Sequence, residues 1–357
     1  MPPDPDSGYQ RLTELARALP GQFRSGFRAG RSVRPVPALP ARVVLLGMGG
    51  SAIAGDLACV LTDPETRVAL SVVRGPELPR SVDRTVLALA ASYSGNTEET
   101  LDAFEEAGTR GVPRIALTSG GQLADRARRE GVPVIMIPEG GPPRAWVGFT
   151  LGAVLGILDP AFRRSNGARV DRVSRELEGR IDTYASRQGA PERWARRIGT
   201  RRVVLYAESA YQGLALRWKC QVEENAKRPA ESGTLPEIFH NTLVAWDAAG
   251  ASEGRYRAVL QFASAAATTA EERRLRYLAG LLRARGVPVV TVRLPAEERL
   301  AALLHGIALG DFFTLALARR AGIDPLPIDA IDRMKARLSR GARTPSGPRR
   351  APTPPVR

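Results

Sequence analysis

The sequence predicts an α/β protein made of two doubly wound parallel-sheet halves in tandem, with a helical C-terminal segment. Three observations indicate this fold. Short apolar runs rich in β-branched residues do not alternate with polar residues, as in strands buried on both faces of a parallel sheet. Amphipathic stretches of helical length separate these runs, and the same pattern starts again after residue 200. A chain of 357 residues is long enough for two such halves.

In the first half, five apolar runs bounded by glycine or proline are predicted as strands, at 42–46, 68–73, 85–91, 114–117 and 132–137. A helical opening precedes them at 12–19, and two helices are predicted between them at 97–107 and 123–130. We expect this half to occupy residues 41–160, after an N-terminal helical extension over residues 1–40.

A helical stretch at 147–197, broken near Pro160 and Pro191, leads into the second half, which is predicted over 161–338. Its predicted strands are 202–206, 257–262 and 287–294. Its predicted helices are 213–225, 269–285, 300–321 and 328–338. Two similar halves imply a cleft between them, and ligands of such sheets bind beyond the carboxyl ends of the strands.

Arginine dominates the charge of the chain. There are 52 basic and 37 acidic side chains, a net charge of +15, and only three of the basic residues are lysines, which leaves 49 arginines. Residues 1–42 carry a net +4 and residues 336–357 a net +6, so the remaining residues carry only +5. The segment 339–357, rich in arginine and proline, is predicted to be disordered. We expect no nucleic-acid partner beyond a weak phosphate contact of this tail, because no aromatic residue lies between its arginines.

Two histidines and two cysteines exclude several classes of protein. A zinc site with several histidine or cysteine ligands would need both histidines or a ligand from outside the chain, and we expect no metal. Cys59 and Cys220 form no disulfide framework and suit a reducing cytosol. Residues 1–8 lack the pattern of a signal peptide. The longest apolar run, about 14 residues at 145–158, is shorter than the roughly 20 residues of a membrane span. We therefore expect a cytoplasmic protein with no membrane partner.

The first predicted strand runs directly into a glycine-rich loop, 47–52 (GMGGSA), after which a helix begins. Glycines let the backbone approach an anion, and the start of a helix supplies free N–H groups, so Gly49, Gly50 and Ser51 are candidate phosphate ligands. The loop is also a weak dinucleotide fingerprint. However, residues 72–74 (VVR) stand where an acidic side chain would bind the ribose of NAD. NAD is disfavoured, and an NADP-dependent oxidoreductase stays as an alternative.

The third predicted strand ends in a hydroxyl-rich turn (SYSGNTEET). Ser92, Ser94 and Thr97 place three hydroxyl donors beside Gly95, which permits a tight turn. With Ser51 they make four small donors without a lysine, and this set fits one phosphate monoester. Taken alone, Ser94 or Thr97 is equally well explained as a helix N-cap. Two such loops at successive strand ends of one sheet favour phosphate binding.

The two motifs resemble those of a known family. Gly-Gly-Ser after the first strand and Ser-x-Ser-Gly-Asn-Thr after a later one are similar to the sugar isomerase (SIS) domain, which binds phosphosugars. To about residue 338 the chain resembles the two-SIS bifunctional phosphoglucose/phosphomannose isomerase family. The resemblance implies a metal-independent aldose–ketose isomerase without a cofactor, which interconverts fructose 6-phosphate with glucose 6-phosphate and mannose 6-phosphate through a cis-enediol. A non-catalytic sugar-phosphate-binding SIS protein is the alternative.

The resemblance also implies roles for particular residues. The family's Asn-Glu-Asn-Ala-Lys box appears here as EENAK, with Glu224 at the position of the catalytic base. Its Glu-Leu-Asn-His-Asn box appears as EIFHN, with His240 as the ring-opening histidine, which the family contributes from the partner subunit of a homodimer. Arg144 matches the arginine that stabilises the enediolate. Lys335 matches the lysine of the closing helix that helps ring opening.

Read without the resemblance, these residues also have structural explanations: Glu224 as a solvated acid at a helix end, and His240 as a capping or core histidine. Pro229, Gly233 and Pro236 lie between them, so the pair cannot share one helical face. Only tertiary or inter-subunit contact can bring the two together.

Other positions depart from the family or have simpler explanations. Where a threonine commonly follows Asp-Pro in the closing segment, this chain has Leu326 and Ile328 nearby and no hydroxyl, which concerns acceptance of both glucose and mannose epimers. Lys227 is expected on the helix surface or as a partner of the helix C-terminal dipole. His305, in an apolar stretch, is expected to be buried or at an interface.

Overall fold

Two parallel sheets, each covered by helices, form the protein, and this confirms the predicted fold class. The computed structural model describes residues 5–33, 39–162, 166–249 and 252–341. The predicted basic tail therefore lies outside the described residues from position 342 onward.

Two N-terminal helices, α1 (Pro5–Arg17) and α2 (Leu19–Ser32), precede the first sheet. Its strands are β1 (Arg42–Gly47), β2 (Ala69–Val73), β3 (Val86–Ala91), β4 (Arg114–Thr118) and β5 (Val134–Met136). The helices after β1, β3 and β4 are α3 (Gly49–Glu65), α4 (Glu98–Thr109) and α5 (Gly121–Arg129). All strands are parallel, in the order β2-β1-β3-β4-β5. Because β1 and β3 are neighbours, the loops that follow them meet at one edge of the sheet.

Three helices join the two sheets: α6 (Val147–Leu158), α7 (Gly167–Ala185) and α8 (Ala190–Ile198). The second sheet contains β6 (Arg202–Glu208), β7 (Ala230–Leu235), β8 (Arg257–Ser264) and β9 (Val289–Leu294). The remaining helices are α9 (Gln212–Ala226), α10 (Thr242–Ala248), α11 (Glu253–Tyr256), α12 (Thr269–Ala284), α13 (Arg299–Arg320) and α14 (Asp329–Gly341). The strand order β7-β6-β8-β9 repeats the first four positions of the first sheet, so β6 corresponds to β1 and α9 to α3.

Strand β7 was not expected from the sequence. Its segment contains Gly233, is flanked by Pro229 and Pro236, and is not among the predicted strands. The structure makes it a parallel strand at the edge of the second sheet, where it pairs with β6. Both prolines stand just outside the strand, and an edge position tolerates a glycine better than a central one.

One hydrophobic core runs through both halves. A single cluster of buried side chains includes Leu45 and Leu57 from the first half and Trp218 from α9. The Trp218 ring stacks on Phe313 with centroids 5.4 Å apart and meets Phe262 edge-on at 4.8 Å. The two sheets are therefore joined by shared apolar packing.

Helix α2 belongs to this core. A Cβ atom on Gly26 would stand 2.0 Å from the carbonyl oxygen of Phe149, and one on Gly152 would stand 2.3 Å from that of Phe23. Glycine at these positions lets the backbones of α2 and α6 touch. The N-terminal segment is thus a packed layer over α6.

Helix α13 is long and apolar enough to cross a membrane by length and composition. Its whole apolar window is buried inside the protein, between α7, α8 and α9. This is the position of a core helix.

Candidate active site

The glycine-rich loop opens α3 without a side-chain cap. Met48 occupies the N-cap position in an extended conformation, and its side chain makes no capping hydrogen bond. The first N–H groups of a helix have no partner within the helix, and the helix dipole makes this end favourable for an anion. Gly49 and Gly50 are the first two residues of α3, as a phosphate cradle requires.

Gly50 brings this loop against Arg144. A Cβ atom at Gly50 would stand 3.3 Å from both the backbone nitrogen and the Cα of Arg144. Any larger residue would push the two segments apart. Arg144 itself lies in a 3-10 turn, Pro143–Trp146, directly before α6. The start of α3 and the backbone of Arg144 are therefore in van der Waals contact.

The serine-rich loop after β3 joins the same edge of the sheet. Its Tyr93 amide donates to the Ser51 hydroxyl at 3.2 Å, which links the two loops. Ser92 is 2% exposed and donates to the Thr97 hydroxyl at 3.0 Å, and the Ser94 hydroxyl accepts from the Asn96 amide at 3.3 Å. Six predicted phosphate ligands, Gly49, Gly50, Ser51, Ser92, Ser94 and Thr97, thus lie on two hydrogen-bonded neighbouring loops.

The alternative explanation of this loop, a helix cap, is met by the backbone position of Thr97 but not by its side chain. Thr97 occupies the N-cap position of α4, but its side chain makes no capping hydrogen bond. The start of α4 is consequently as uncapped by side chains as that of α3. Two helix N-termini without side-chain caps at adjacent strand ends are suited to an anion.

Arg144 is the hub of the site. It is 3% exposed, and its guanidinium donates from Nε to Asn225 Oδ1 at 2.8 Å and from Nη1 to Glu224 Oε2 at 3.2 Å. Its Nη2 donates to the carbonyl oxygens of Pro325 at 2.7 Å and Leu326 at 3.1 Å. Burial lowers the pKa of Arg144, and the neighbouring carboxylate of Glu224 opposes this shift. A desolvated cation is therefore fixed in place beside the predicted base.

Glu224 lies in the last turn of α9, with its side chain 26% exposed. One of its oxygens is held by Arg144 while the group keeps access to solvent and hence to a ligand. A carboxylate at a helix C-terminus is disfavoured by the helix dipole. The positive charge of Arg144 offsets this unfavourable interaction, so Arg144 stabilises the ionised Glu224 where it stands.

Lys227 contacts the same segments as Arg144 and Glu224, which sequence reasoning did not predict. It follows α9 in the left-handed conformation, with φ of 52°, and donates to the carbonyl oxygen of Glu224, as expected for a partner of the helix dipole. It also donates to the carbonyl oxygens of Pro325, at 3.2 Å, and Pro327. Burial, and then the charge of Arg144, lower the pKa of Lys227. Its place in the EENAK box, three residues after Glu224, was the available signal.

His240 and Lys335 lie away from this cluster. His240 ends a 3-10 turn after β7 and is exposed, and Lys335 is exposed on α14. Within the described ranges, no hydrogen bond or ion pair connects either residue to Glu224 or Arg144. The structure therefore brings together the two loops, Arg144 and Glu224, and among the described residues it shows no bond from His240 or Lys335 to them.

His305, which we expected to be buried or at an interface, is 1% exposed between α7 and α13. Its Nδ1 shares a hydrogen bond of 2.8 Å with the hydroxyl of Tyr184, and its Nε2 lies 3.5 Å from Glu176 Oε1. Burial lowers its pKa. It is a core histidine remote from the two loops.

Sequence reasoning missed a buried polar network behind Arg144. It contains Arg217, Gln221 and Asn225 on one face of α9, and Asp311 and Thr314 on α13. Arg217 and Gln221 both donate to Asp311 Oδ1, at 2.6 and 2.8 Å. Burial raises the pKa of Asp311, and the charge of Arg217 opposes this rise. The spacing of Arg217, Gln221 and Asn225 at i, i+4 and i+8 is the one signal that the sequence offered.

Comparisons with known proteins show which family the chain resembles. The family model for the bacterial phospho-glucose isomerase C-terminal SIS domain matches residues 187–338. A bifunctional phosphoglucose/phosphomannose isomerase of Aquifex aeolicus (strain VF5) is 33% identical over 84% of this chain and 91% of that protein. Another, of Caldicellulosiruptor bescii, is 30% identical over 92% of this chain and 99% of that protein.

Solved structures show the same fold. A hypothetical protein from Thermus thermophilus has a TM-score of 0.72 at 16% identity, over 95% of this chain and 94% of that one. The sequence relatives share almost the full length of this chain, and they match the family that the phosphate loops and the Glu224 box predicted. By that likeness, the chain belongs to the bifunctional phosphoglucose/phosphomannose isomerase family.

Proposed function

We propose that this protein is an aldose–ketose isomerase that interconverts fructose 6-phosphate with glucose 6-phosphate and mannose 6-phosphate. One observation carries the proposal: the uncapped glycine loop touches the backbone of Arg144 at Gly50, and the Arg144 guanidinium binds Glu224. A phosphate held at the loops anchors a sugar beside a carboxylate and a buried cation. The names of the relatives point to the same reaction.

The two loops are the proposed phosphate site. Backbone N–H groups of Gly49 and Gly50 and the hydroxyls of Ser51, Ser94 and Thr97 supply the hydrogen bonds that a dianionic phosphate monoester accepts. Ser92 is buried and holds the Thr97 hydroxyl, so it acts on the phosphate through its neighbour.

Glu224 is the proposed base. In open-chain fructose 6-phosphate, its carboxylate takes a proton from C1 and an enediolate forms. The proton on O1 passes to O2, and Glu224 returns the first proton to C2, which leaves an aldehyde at C1. The face of C2 that receives the proton decides between the glucose and mannose epimers. Arg144 stabilises the negative charge of the enediolate, and Glu224 ends in the protonation state in which it began.

Ring opening is assigned to His240 and Lys335, and the proposal includes a homodimer. Both side chains are exposed in a single copy. Beside His240, the Phe239 ring packs on Tyr277 with centroids 6.3 Å apart, and Val244 is 71% exposed and Tyr277 61% exposed. An apolar surface next to an exposed histidine supports a second copy that covers it and receives His240 in its site.

The proposal divides the work between the predicted domains. Residues 41–160 bind phosphate and residues 161–338 supply the base, while helix α1 of the N-terminal segment supports Arg144 by packing beside it. Arg11, on α1, donates to the carbonyl oxygen of Gly140, in the loop that leads to Arg144, at 3.1 Å through Nε. A cytoplasmic location and a role for the basic tail 339–357 stay predictions.

The central experiment measures turnover of fructose 6-phosphate in the presence of EDTA, with glucose 6-phosphate and mannose 6-phosphate quantified separately. We expect both aldoses to form without added metal or nucleotide. Binding of fructose 6-phosphate without turnover would favour the non-catalytic SIS protein. A sugar-dependent change in NADPH absorbance would favour the oxidoreductase.

A second experiment tests the exchange of His240 between subunits. Glu224→Gln and His240→Ala chains should each be inactive alone. The two are unfolded together and refolded as a mixture. In a mixed dimer with exchanged histidines, one site carries both changes and the other carries neither, so about a quarter of wild-type activity returns. If His240 acts within its own chain, no activity returns.

A further inference from the structure

The carboxylate of Asp311 connects to Arg144 by two separate routes. Asp311 is 8% exposed on α13, and its Oδ1 accepts hydrogen bonds from Arg217 Nη2 at 2.6 Å and Gln221 Nε2 at 2.8 Å. Each of these donors makes a further contact that leads to Arg144. Asp311 thus lies at the branch point of a buried network.

The first route leads to the guanidinium. Gln221 donates to Asp311, so its Oε1 faces Asn225, whose Nδ2 donates to it at 3.3 Å. The same Asn225 Nδ2 donates to Thr314 Oγ1 at 3.0 Å. With the amide nitrogen engaged twice, Asn225 turns its Oδ1 towards Arg144 Nε, at 2.8 Å. The charge of Asp311 therefore fixes the orientation of two successive amides, because a carboxylate accepts hydrogen bonds only.

The second route leads to the main chain. Arg217 is 2% exposed, and its Nη1 donates to the carbonyl oxygen of Arg144 at 3.3 Å. The same guanidinium donates from Nη2 to Asp311. Hydrogen bonds from Asp311 therefore lead to both parts of Arg144: through Arg217 to its backbone, and through Gln221 and Asn225 to its guanidinium.

A purely structural role explains this arrangement poorly. A buried ion pair contributes little to stability compared with apolar residues of the same volume. Apolar side chains surround it, including Leu12, Ala16 and Leu315. A network that costs stability and ends on one functional side chain is better explained by the geometry that it imposes.

We propose that Asp311 is a positioning residue that sets the orientation of the Arg144 guanidinium towards Glu224 and the bound sugar. This rests on the proposed function, in which Arg144 stabilises the enediolate. Since that charge develops only in the transition state, loss of the network lowers kcat and leaves KM for fructose 6-phosphate almost unchanged.

The test compares Asp311→Asn with Glu192→Gln. Glu192 is a matched control: its carboxylate is 8% exposed and accepts from two arginines of α13, Arg319 at 2.6 Å and Arg320 at 3.2 Å. Across the described part of the chain, neither of these bonds leads on to Arg144. Steady-state kinetics should show kcat reduced about ten- to a hundredfold for Asp311→Asn, as misplacement of a catalytic group predicts. The control should stay within about twofold of wild type, because it leaves the site intact.

Asp311→Asn leaves Arg217 buried without a counter-charge and can destabilise the protein. The double variant Asp311→Leu with Arg217→Met removes both charges and restores apolar packing. It should unfold at a temperature near that of wild type and still show the loss in kcat. Gln221→Met, which changes no charge, severs the guanidinium route alone and should show a smaller loss.

Wild-type kcat in the folded double variant and in Gln221→Met would overturn the proposal. The failure of the proposed function is a different result, since wild-type protein would then not turn over fructose 6-phosphate at all. The control supplies a second overturning result. If Glu192→Gln loses as much kcat and as much thermal stability as Asp311→Asn does, the network acts only through stability, and the proposal is overturned.

Discussion

The two halves share one fold but use opposite ends of the corresponding helix. In the first half, β1 leads into α3 through glycines, and the N-terminus of α3, which no side chain caps, is the proposed phosphate-binding end. In the second half, β6 ends at Glu208 and a 3-10 turn, Ser209–Tyr211, precedes α9. There the candidate functional residues lie at the other end, where Glu224 stands in the last turn of α9 and Lys227 follows it.

Side chains at the two strand ends explain this difference. The Tyr211 hydroxyl lies 3.3 Å from Ser264 Oγ and bridges the ends of β6 and β8. Burial raises the pKa of Glu208, and the nearby Glu271 raises it further. A carboxylate at the place of the glycine loop repels phosphate. The helix dipole fits both arrangements, since an anion suits the start of α3 and cations suit the end of α9.

The largest expected effect is on kcat, and it distinguishes Glu224, at the end of α9, from Glu208, at the end of β6. Glu224→Gln removes the base and should lower kcat by about a hundred- to ten-thousandfold, the usual contribution of general base catalysis. Glu208→Gln, at the strand end, should leave kcat unchanged. Steady-state assays of both variants decide the matter. An active Glu224→Gln protein would contradict the assignment of the base.

The next effect is on KM. It compares Thr97, a proposed phosphate ligand in the first half, with Thr268, a helix cap in the second half. The Thr97 hydroxyl caps nothing but accepts a hydrogen bond from buried Ser92, so Thr97→Ala should cost some stability and also raise KM about tenfold through loss of one hydrogen bond to a charged phosphate. Thr268 begins α12 with a complete capping box. Thr268→Ala should instead cost about 1 kcal/mol of stability, measured by denaturant unfolding, and leave KM unchanged. If Thr97→Ala also loses stability and leaves KM unchanged, as Thr268→Ala does, the first loop is only a helix cap.

A smaller effect concerns Lys227. Asn keeps the left-handed backbone at this position but is too short to reach the carbonyl oxygens of Pro325 and Pro327. Lys227→Asn should therefore fold normally and lose activity less than Glu224→Gln does, because Arg144 still binds the Pro325–Leu326 segment. Kinetics combined with thermal unfolding check this. Activity lost as completely as in Glu224→Gln would make Lys227 a reacting group.

The smallest effect lies where the halves join, at His305. Burial lowers its pKa, while Glu176 raises it and Arg180 lowers it further, and burial raises the pKa of the adjoining Tyr184 to about 12. The folded protein therefore resists protonating His305, whereas the unfolded chain takes up a proton as the pH falls through about 6.5. Stability should decline from pH 7 to pH 5 by linkage.

His305→Gln, which retains a hydrogen-bonding group for Tyr184, should show a shallower decline in melting temperature over this range. A slope equal to that of wild type would mean that other groups control acid stability. Kinetic constants at pH 7 should be the same for both proteins, since His305 is remote from the loops.

Sequence patterns predicted the strands and loops well because these depend on local chemistry. Continuous apolar runs predicted most strand positions, and glycine and hydroxyl motifs predicted the two loops that the structure places side by side. Strand β7 was missed because Pro229 and Pro236 resemble breakers and only the sheet shows that they flank an edge strand. The network of Asp311 was missed because its two helices are distant in sequence, with Arg217 and Asp311 94 positions apart.

The roles of His240 and Lys335 came from resemblance alone. Neither residue has a local pattern that predicts its function, and one folded copy leaves both exposed. They remain predictions that need a second chain, whereas the cluster of Arg144 and Glu224 assembles within one chain. Information that depends on tertiary or quaternary proximity is the part that single-sequence reasoning cannot supply.

The core that runs continuously through both sheets has a consequence for motion. Because Trp218 and Phe313 pack with side chains of both halves in one cluster, the halves cannot rock against each other without exposing that cluster. Heating should melt the molecule in one calorimetric step, and slowly exchanging amides should be found in both sheets. We therefore expect any rearrangement during turnover to occur in peripheral segments such as α14, while the two sheets stay fixed relative to each other.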